Sequence, residues 1–187
     1  GLAIYDRQHL NPDSPYRFPA ALEGFVRGGL SYPDMVDAYK AHPVHVNVNS
    51  VDASPTMFSR RVMEIAASGG AVVSGTGRGV EEVLNGLVPV IKGQDESELL
   101  MSEWMANEDI RVRDAWLAYR FIHRAHTAAH RLAYVLRTAG LVVRAPEAPS
   151  YAVFLDEATP EKLDALRQQT VQPSFVFSPV APTDSGT

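Results

Sequence analysis

Two adjacent arginines, Arg60 and Arg61, and a glutamate, Glu64, stand inside a stretch whose other residues read as core, SPTMFSRRVMEIAASGGAVVSG, from Ser54 to Gly75. On a helix Arg60 and Glu64 are spaced i, i+4 and face one another. Two chemistries suit that spacing. The pair can close on itself at the surface, worth roughly 0.2–0.5 kcal/mol. Alternatively a guanidinium can meet a phosphorylated ligand through bidentate, charge-assisted hydrogen bonds. The carboxylate one turn on would then accept from sugar or ribose hydroxyls. A glycine-rich turn, Gly75-Thr76-Gly77-Arg78-Gly79, follows close behind. It departs from the dinucleotide fingerprint because its third glycine comes too early.

The elements that must position these residues follow from periodicity. SYPDMVDAYKAH reads as a helix with Ser31 as N-cap and Met35, Val36 and Tyr39 on one face. PVHVNVNS reads as a strand, with Val44, Val46 and Val48 on its core face and His45, Asn47 and Asn49 on the other. Phe58, Val62, Ile65 and Ala66 share one helical face. Gly69-Gly70 ends that helix, and AVVS forms a short strand. After the glycine turn come a short helix, VEEVLN, and a strand, VPVIK. Leu2–Tyr5 and Gly24–Arg27 read as two more short strands. The alternation implies an α/β fold with a parallel sheet and crossover helices. Ligands of such sheets sit at the carboxyl ends of the strands, against free amides of helix N-termini. Asn49, Ser59-Arg60-Arg61 and the glycine turn all fall there.

From Asp95 the chain reads as helical. SELLMSEWMANE is one helix, and DIRVRDAWLAYRFIHRAHTAAHRLAYVLRTAG is one long or two stacked helices ending at Gly140. Trp104, Trp116, Tyr119 and Phe121 are assigned to helix packing. His123, His126 and His130 fall at i, i+3 and i+7 and so line one helix face. Arg124 and Arg131 lie close by and no carboxylate completes a metal set, so packing is the expectation rather than zinc. Residues 141–150 read as a Pro-rich linker. YAVFLDEATPEKLDALRQQTVQPSFVFSP reads as strand, helix and strand, before a loose tail. No internal repeat and no low-complexity tract is visible.

Composition bounds the function classes. The 187 residues carry a formal net charge of −5, with 45% hydrophobic and 21% charged residues, ordinary for a globular protein. With no basic block, a general nucleic-acid binder is not expected. A local cluster such as RFIHRAHTAAHR still suits an anion. The absence of cysteine excludes a disulfide scaffold, thiolate metal ligands and a cysteine nucleophile. No signal peptide and no apolar run of membrane-spanning length is visible, so a cytoplasmic location is expected. The opening GLAIYDRQ, without an initiator methionine, reads as part of a longer protein.

The stretch VNVNSVDASPTMFSRRVMEIAASGGAVVSGTGRGVEEVL, with HTAAHRL further on, resembles bacterial glycosyltransferases of the group 1 and spore-maturation type. The likeness covers roughly Leu2 to Gly140, and SPTMFSRRVMEIAASG is its most specific part. It implies a GT-B enzyme, in which two Rossmann-like domains face each other across a cleft. This chain would be the C-terminal, nucleotide-sugar-binding domain, residues 1–140, with a βαβ-like appendage at 151–187. That appendage faintly resembles the opening of a family 2 glycosyltransferase.

By the same resemblance Glu64 matches the second glutamate of a Glu, seven residues, Glu pattern and would bind the nucleotide ribose. Thr56 stands where the first glutamate would touch the donor sugar, a departure that leaves that contact unassigned. Ser59 and Arg60 lie where relatives present backbone amides to the diphosphate, and Gly75, Thr76, Gly77 and Arg78 where they line the donor pocket. Arg61 and Asn49 complete the expected donor set. No catalytic residue is assigned. No cofactor and no metal is implied, because helix amides and basic side chains stabilise the leaving diphosphate in this class. The donor is a nucleotide diphosphate sugar such as a UDP-sugar, the implied reaction is hexosyl transfer, and the N-terminal domain of the parent chain is the implied partner. The isolated piece is expected to be inactive. The rival reading is a degenerate, non-catalytic module kept for assembly or interaction.

Overall fold

A computed structural model of the chain describes residues 1–15, 17–144, 151–169 and 173–179. Eight helices and four strands lie among them. The chain divides into two compact units, Gly1–Tyr119 and Arg120–Thr187.

In the first unit, the short helix α1 (Ala20–Glu23) precedes α2 (Tyr32–Ala41). Ser31 caps α2 by accepting from the Asp34 amide, with proline in the first turn. Strand β1 (Val44–Asn47) then leads through a long loop to α3 (Arg60–Ala67). Gly69 adopts a left-handed φ of 82°. That conformation lets the Gly70 amide reach back to the Ile65 carbonyl and end the helix. Strand β2 (Ala71–Ser74) pairs in parallel with β1, Val44 opposite Ala71 through Asn47 opposite Ser74. Helix α4 (Arg78–Leu84) carries the chain to Val90, which bridges Ser74 in parallel. This is a Rossmann-like β-α-β-α-β unit with short strands.

The expected strands at Leu2–Tyr5, Gly24–Arg27 and VPVIK are each reduced to one bridge. Ile4 pairs with Val26, and Val90 with Ser74. Helices α5 (Gln94–Ala106) and α6 (Glu108–Ala125) follow. Trp104 is buried with Ala71, Val73 and Ala115, and Val44, Leu100, Met101 and Ile110 pack around them. Its indole N–H donates to Asp114 at 3.1 Å, so the large ring is buried with its polar handle met.

One sequence expectation is inverted. Val46 and Val48 are 54% and 80% exposed, whereas Asn47 is 1% exposed. Only Val44, at the amino end of β1, reaches the Trp104 core. The amide face of the strand is the buried one.

The second unit holds the end of α6, then α7 (Ala128–Thr138), β3 (Ala152–Phe154), α8 (Pro160–Arg167) and β4 (Phe175–Phe177). Of the two expected arrangements, one long helix or two, the second is found. The break falls at His126-Thr127, so His123, His126 and His130 do not share one helical face. Gly140, at a φ of 82°, follows the last turn of α7. β3 and β4 pair in parallel around α8, with Phe154 stacked on Phe177 at 5.0 Å, a βαβ unit. Residues 145–150 of the expected linker and 180–187 of the tail lie outside the described residues. Among the described residues no helix is long and apolar enough to cross a membrane.

Candidate functional site

The carboxyl ends of β1 and β2 carry a network of short polar side chains. Asn47 Nδ2 donates to Ser74 Oγ at 2.9 Å and to Asn49 Oδ1 at 3.0 Å. Asn49 Nδ2 in turn donates to Ser74 Oγ at 3.1 Å and to the carbonyls of Gly75 and Thr76 at 3.2 and 3.1 Å. The Gly75 amide donates to the Asn47 carbonyl at 2.9 Å, which extends the parallel ladder into the turn. A Cβ on Gly77 would lie 2.5 Å from Asn49 Nδ2, so a side chain there cannot coexist with this arrangement.

The loop before α3 closes over the same turn. The Arg78 amide donates to the Asp52 carbonyl at 2.8 Å. Gly79 packs so tightly on Met57 and Phe58 that a Cβ would lie 3.0 Å from the Phe58 ring. Ser54 Oγ accepts from the Met57 amide at 3.1 Å and rounds off the loop. Ser59 is the N-cap of α3, and its side chain makes no capping bond. The first-turn amides of Arg60 and Arg61 therefore begin a helix without a side-chain cap, beside the glycine turn.

Glu64 belongs to a second cluster. Its carboxylate meets Arg60 Nε at 2.7 Å, with the arginine side chain 80% exposed, and accepts from the Tyr39 hydroxyl at 3.3 Å. Burial first, and the Glu64 carboxylate second, hold the Tyr39 phenol above its usual range, while Arg61 acts against them. Arg78 Nε pairs with Glu82 at 2.5 Å along α4.

Opposite, at the amino end of the strands, an open cleft of about 250 Å³ is lined by Tyr39, Lys40, His42, Gly70, Arg111 and Trp116, among others. Of the two ends, this one has the poorer chemistry. Arg111 is engaged by the Trp104 carbonyl and Glu108, and ligands of parallel sheets bind at the other end. His45 lies behind it, its Nδ1 3.1 Å from the Ala71 carbonyl and its buried Nε2 without a well-formed hydrogen bond among the described residues. Burial holds its pKa below the ordinary histidine value.

Of the residues expected in the site, Asn49, Gly75, Thr76, Gly77 and the Arg78 backbone are brought together directly. Ser59, Arg60 and Arg61 adjoin them through Met57 and Phe58, while Glu64 turns toward α2. Asn47, Ser74 and Tyr39 were not singled out as site residues from sequence. The signal available for Asn47 was an amide within a strand where an apolar residue is usual. Thr127 Oγ1 meets His130 Nδ1 at 2.6 Å, and an Arg131 guanidinium nitrogen meets His126 Nδ1 at 2.6 Å. No three candidate ligands among the described residues could hold a metal ion.

The model of a family described as glycosyl transferase-like matches residues 14–137, which take in α2 through α7 and both clusters. No curated protein and no solved structure gives a significant match.

Proposed function

The chain belongs to the glycosyl transferase-like family, and on that premise we propose that it is the nucleotide-sugar-binding half of a GT-B glycosyltransferase. The observation that carries this reading is the packing of the glycine turn against the residues that lead into α3. A helix start without a side-chain cap follows directly on a loop that packs against a side-chain-free stretch of backbone at the carboxyl ends of two parallel strands. Arg60 and Arg61 open that helix, with Arg60 resting on Glu64 in the free protein.

A diphosphate suits that place. The α3 amides and the helix dipole favour negative charge, and Arg60, assisted by Arg61 or Arg78, adds charge-assisted bonds. Gly75 and Gly77 let the backbone approach closely. As the sugar leaves, charge develops on the diphosphate, and donors already aimed there stabilise the transition state without a metal. Glu64 holds the ribose hydroxyls. In the free protein its carboxylate rests on Arg60 and Tyr39, so a diphosphate that draws Arg60 away frees Glu64 to accept from the ribose. On this reading the donor domain is residues 1–140, a division that runs past the boundary between the two compact units after Tyr119, and 151–187 is an appendage. The acceptor is held by the other GT-B domain of the parent protein, and the transferred group is a hexose.

Thr56, where relatives carry a glutamate on the donor sugar, favours a second reading, a non-catalytic module. Titration calorimetry with UDP, GDP and dTDP tests the first. Saturable binding of one of them is expected, and a folded chain that binds none contradicts a donor site complete in this domain.

A further inference from the structure

The buried face of β1 is polar where a strand covered by helices is ordinarily apolar. Its residues converge on the Gly75–Gly77 turn. Asn47 and Ser74 are 1% and 0% exposed. Asn47 Nδ2 serves Asn49 and Ser74, yet its Oδ1 is buried with no donor among the described residues. The loss from one unmet buried acceptor is as large as the gain from two such bonds. Stability alone therefore gives little reason for an asparagine here.

Position gives a better one. Asn49 Nδ2 holds the carbonyls of Gly75 and Thr76 turned inward. Across a planar trans peptide the N–H points opposite to the carbonyl. The amides of Thr76 and Gly77 therefore point away from Asn49, and neither has a partner among the described residues. Thr76 is exposed and Gly77 is buried. Asn47 and Ser74 grip Asn49 from behind, and Gly77 fits against it with no room for a side chain.

We propose that Asn47 and Asn49 are positioning residues that pre-shape the Gly75–Gly77 turn so that the exposed Thr76 amide is presented as a donor to an anionic ligand. Asn49 acts on the turn directly, and Asn47 acts through Asn49 and Ser74. The identity of that anion as a nucleotide diphosphate rests on the donor-site reading above; the shaping of the turn does not.

The reporter is the Arg78 amide, which directly follows the turn and ties it to the Asp52 carbonyl at 2.8 Å. Asn47→Leu and Asn49→Leu keep side-chain shape and charge but remove the amide donors. Asn49→Ser serves where Asn49→Leu does not fold. Hydrogen exchange is followed by NMR at Arg78 and, as controls, at Val72 and Val73 in β2. The proposal expects exchange at Arg78 to rise at least 10-fold in each variant, with the β2 amides and the melting temperature little changed. Calorimetry is expected to show at least 10-fold weaker binding of whichever of UDP, GDP and dTDP the unmodified protein binds. Unchanged exchange at Arg78 overturns the proposal, as does a uniform rise that follows a lower melting temperature. Faster exchange at Arg78, with no nucleotide bound by the unmodified protein, keeps the positioning role and overturns the donor-site reading instead.

Discussion

At the scale of single residues, Arg60 and Glu64 decide between surface pairing and ligand binding. Their contact at 2.7 Å is real, but the arginine is 80% exposed, and such a pair contributes about 0.3–0.5 kcal/mol at most. Arg60→Ala is therefore expected to leave the thermal midpoint within a degree or two of the parent. If the arginine holds diphosphate, the same change weakens nucleotide binding at least 10-fold by calorimetry. Equal, small effects on both would reduce the pair to a surface contact. The i, i+4 spacing made the pair legible in the sequence. The third member, Tyr39, was not legible as a partner of Glu64, because it comes from α2, 25 residues earlier.

His45 gives the residue scale a pH dependence. Burial is the main cause of its lowered pKa, reinforced by His42 and opposed by the Ala71 carbonyl. The folded protein therefore binds this proton less readily than the unfolded chain, whose histidine titrates near 6.5. The stabilisation is complete above that value and is lost as pH falls from about 6.5 to the lower folded pKa, below which it stays flat. His126, also lowered, adds to the same slope. Urea denaturation between pH 7.5 and 5 is expected to show this loss. His45→Gln should flatten part of it and leave the share due to His126. An unaltered slope in that variant would place the proton uptake elsewhere.

At the scale of elements, β1 carries the main lesson. Alternation along VHVNVN showed correctly that the strand has two unlike faces, but period-two patterning does not say which face is covered. The α5–α6 layer reaches only Val44. Asn47 is buried with its amide nitrogen bonded to Ser74 and Asn49, and Ser74 lies 27 residues away, a pairing invisible to local pattern. Val48→Thr is accordingly expected to change stability by less than about 0.5 kcal/mol, as for a surface position. A core valine would cost several times that.

The junction of α3 with β2 is tighter. A Cβ on Gly70 would lie 2.8 Å from Ile65 and 3.1 Å from both His45 and the Tyr39 carbonyl. Gly70→Ala should destabilise by about 1–3 kcal/mol in thermal or urea unfolding, the usual cost of overpacking. The helices α2, α3 and α5 and the strands β1 and β2 were legible because caps, glycines and periodicity agree there. Leu2–Tyr5, Gly24–Arg27 and VPVIK have strand-like composition, but each makes a single bridge, since a strand needs neighbours as well as propensity. The α6–α7 break was open in the sequence reading, and Thr127, the N-cap of α7, sits at it.

At the scale of the whole molecule, the family match over residues 14–137 covers the β-α-β-α-β unit and runs on through α7. The βαβ of β3, α8 and β4 lies outside the matched residues. The proposed nucleotide diphosphate binds where the glycine turn meets the start of α3. The most direct measurement is chemical-shift mapping of backbone amides while UDP, GDP or dTDP is added to saturation. The largest shifts are expected on Thr76, Gly77 and Arg78 and on Arg60 and Arg61. Shifts centred on Lys40, His42, Gly70 and Arg111, in the cleft at the amino end of the strands, would contradict that placement.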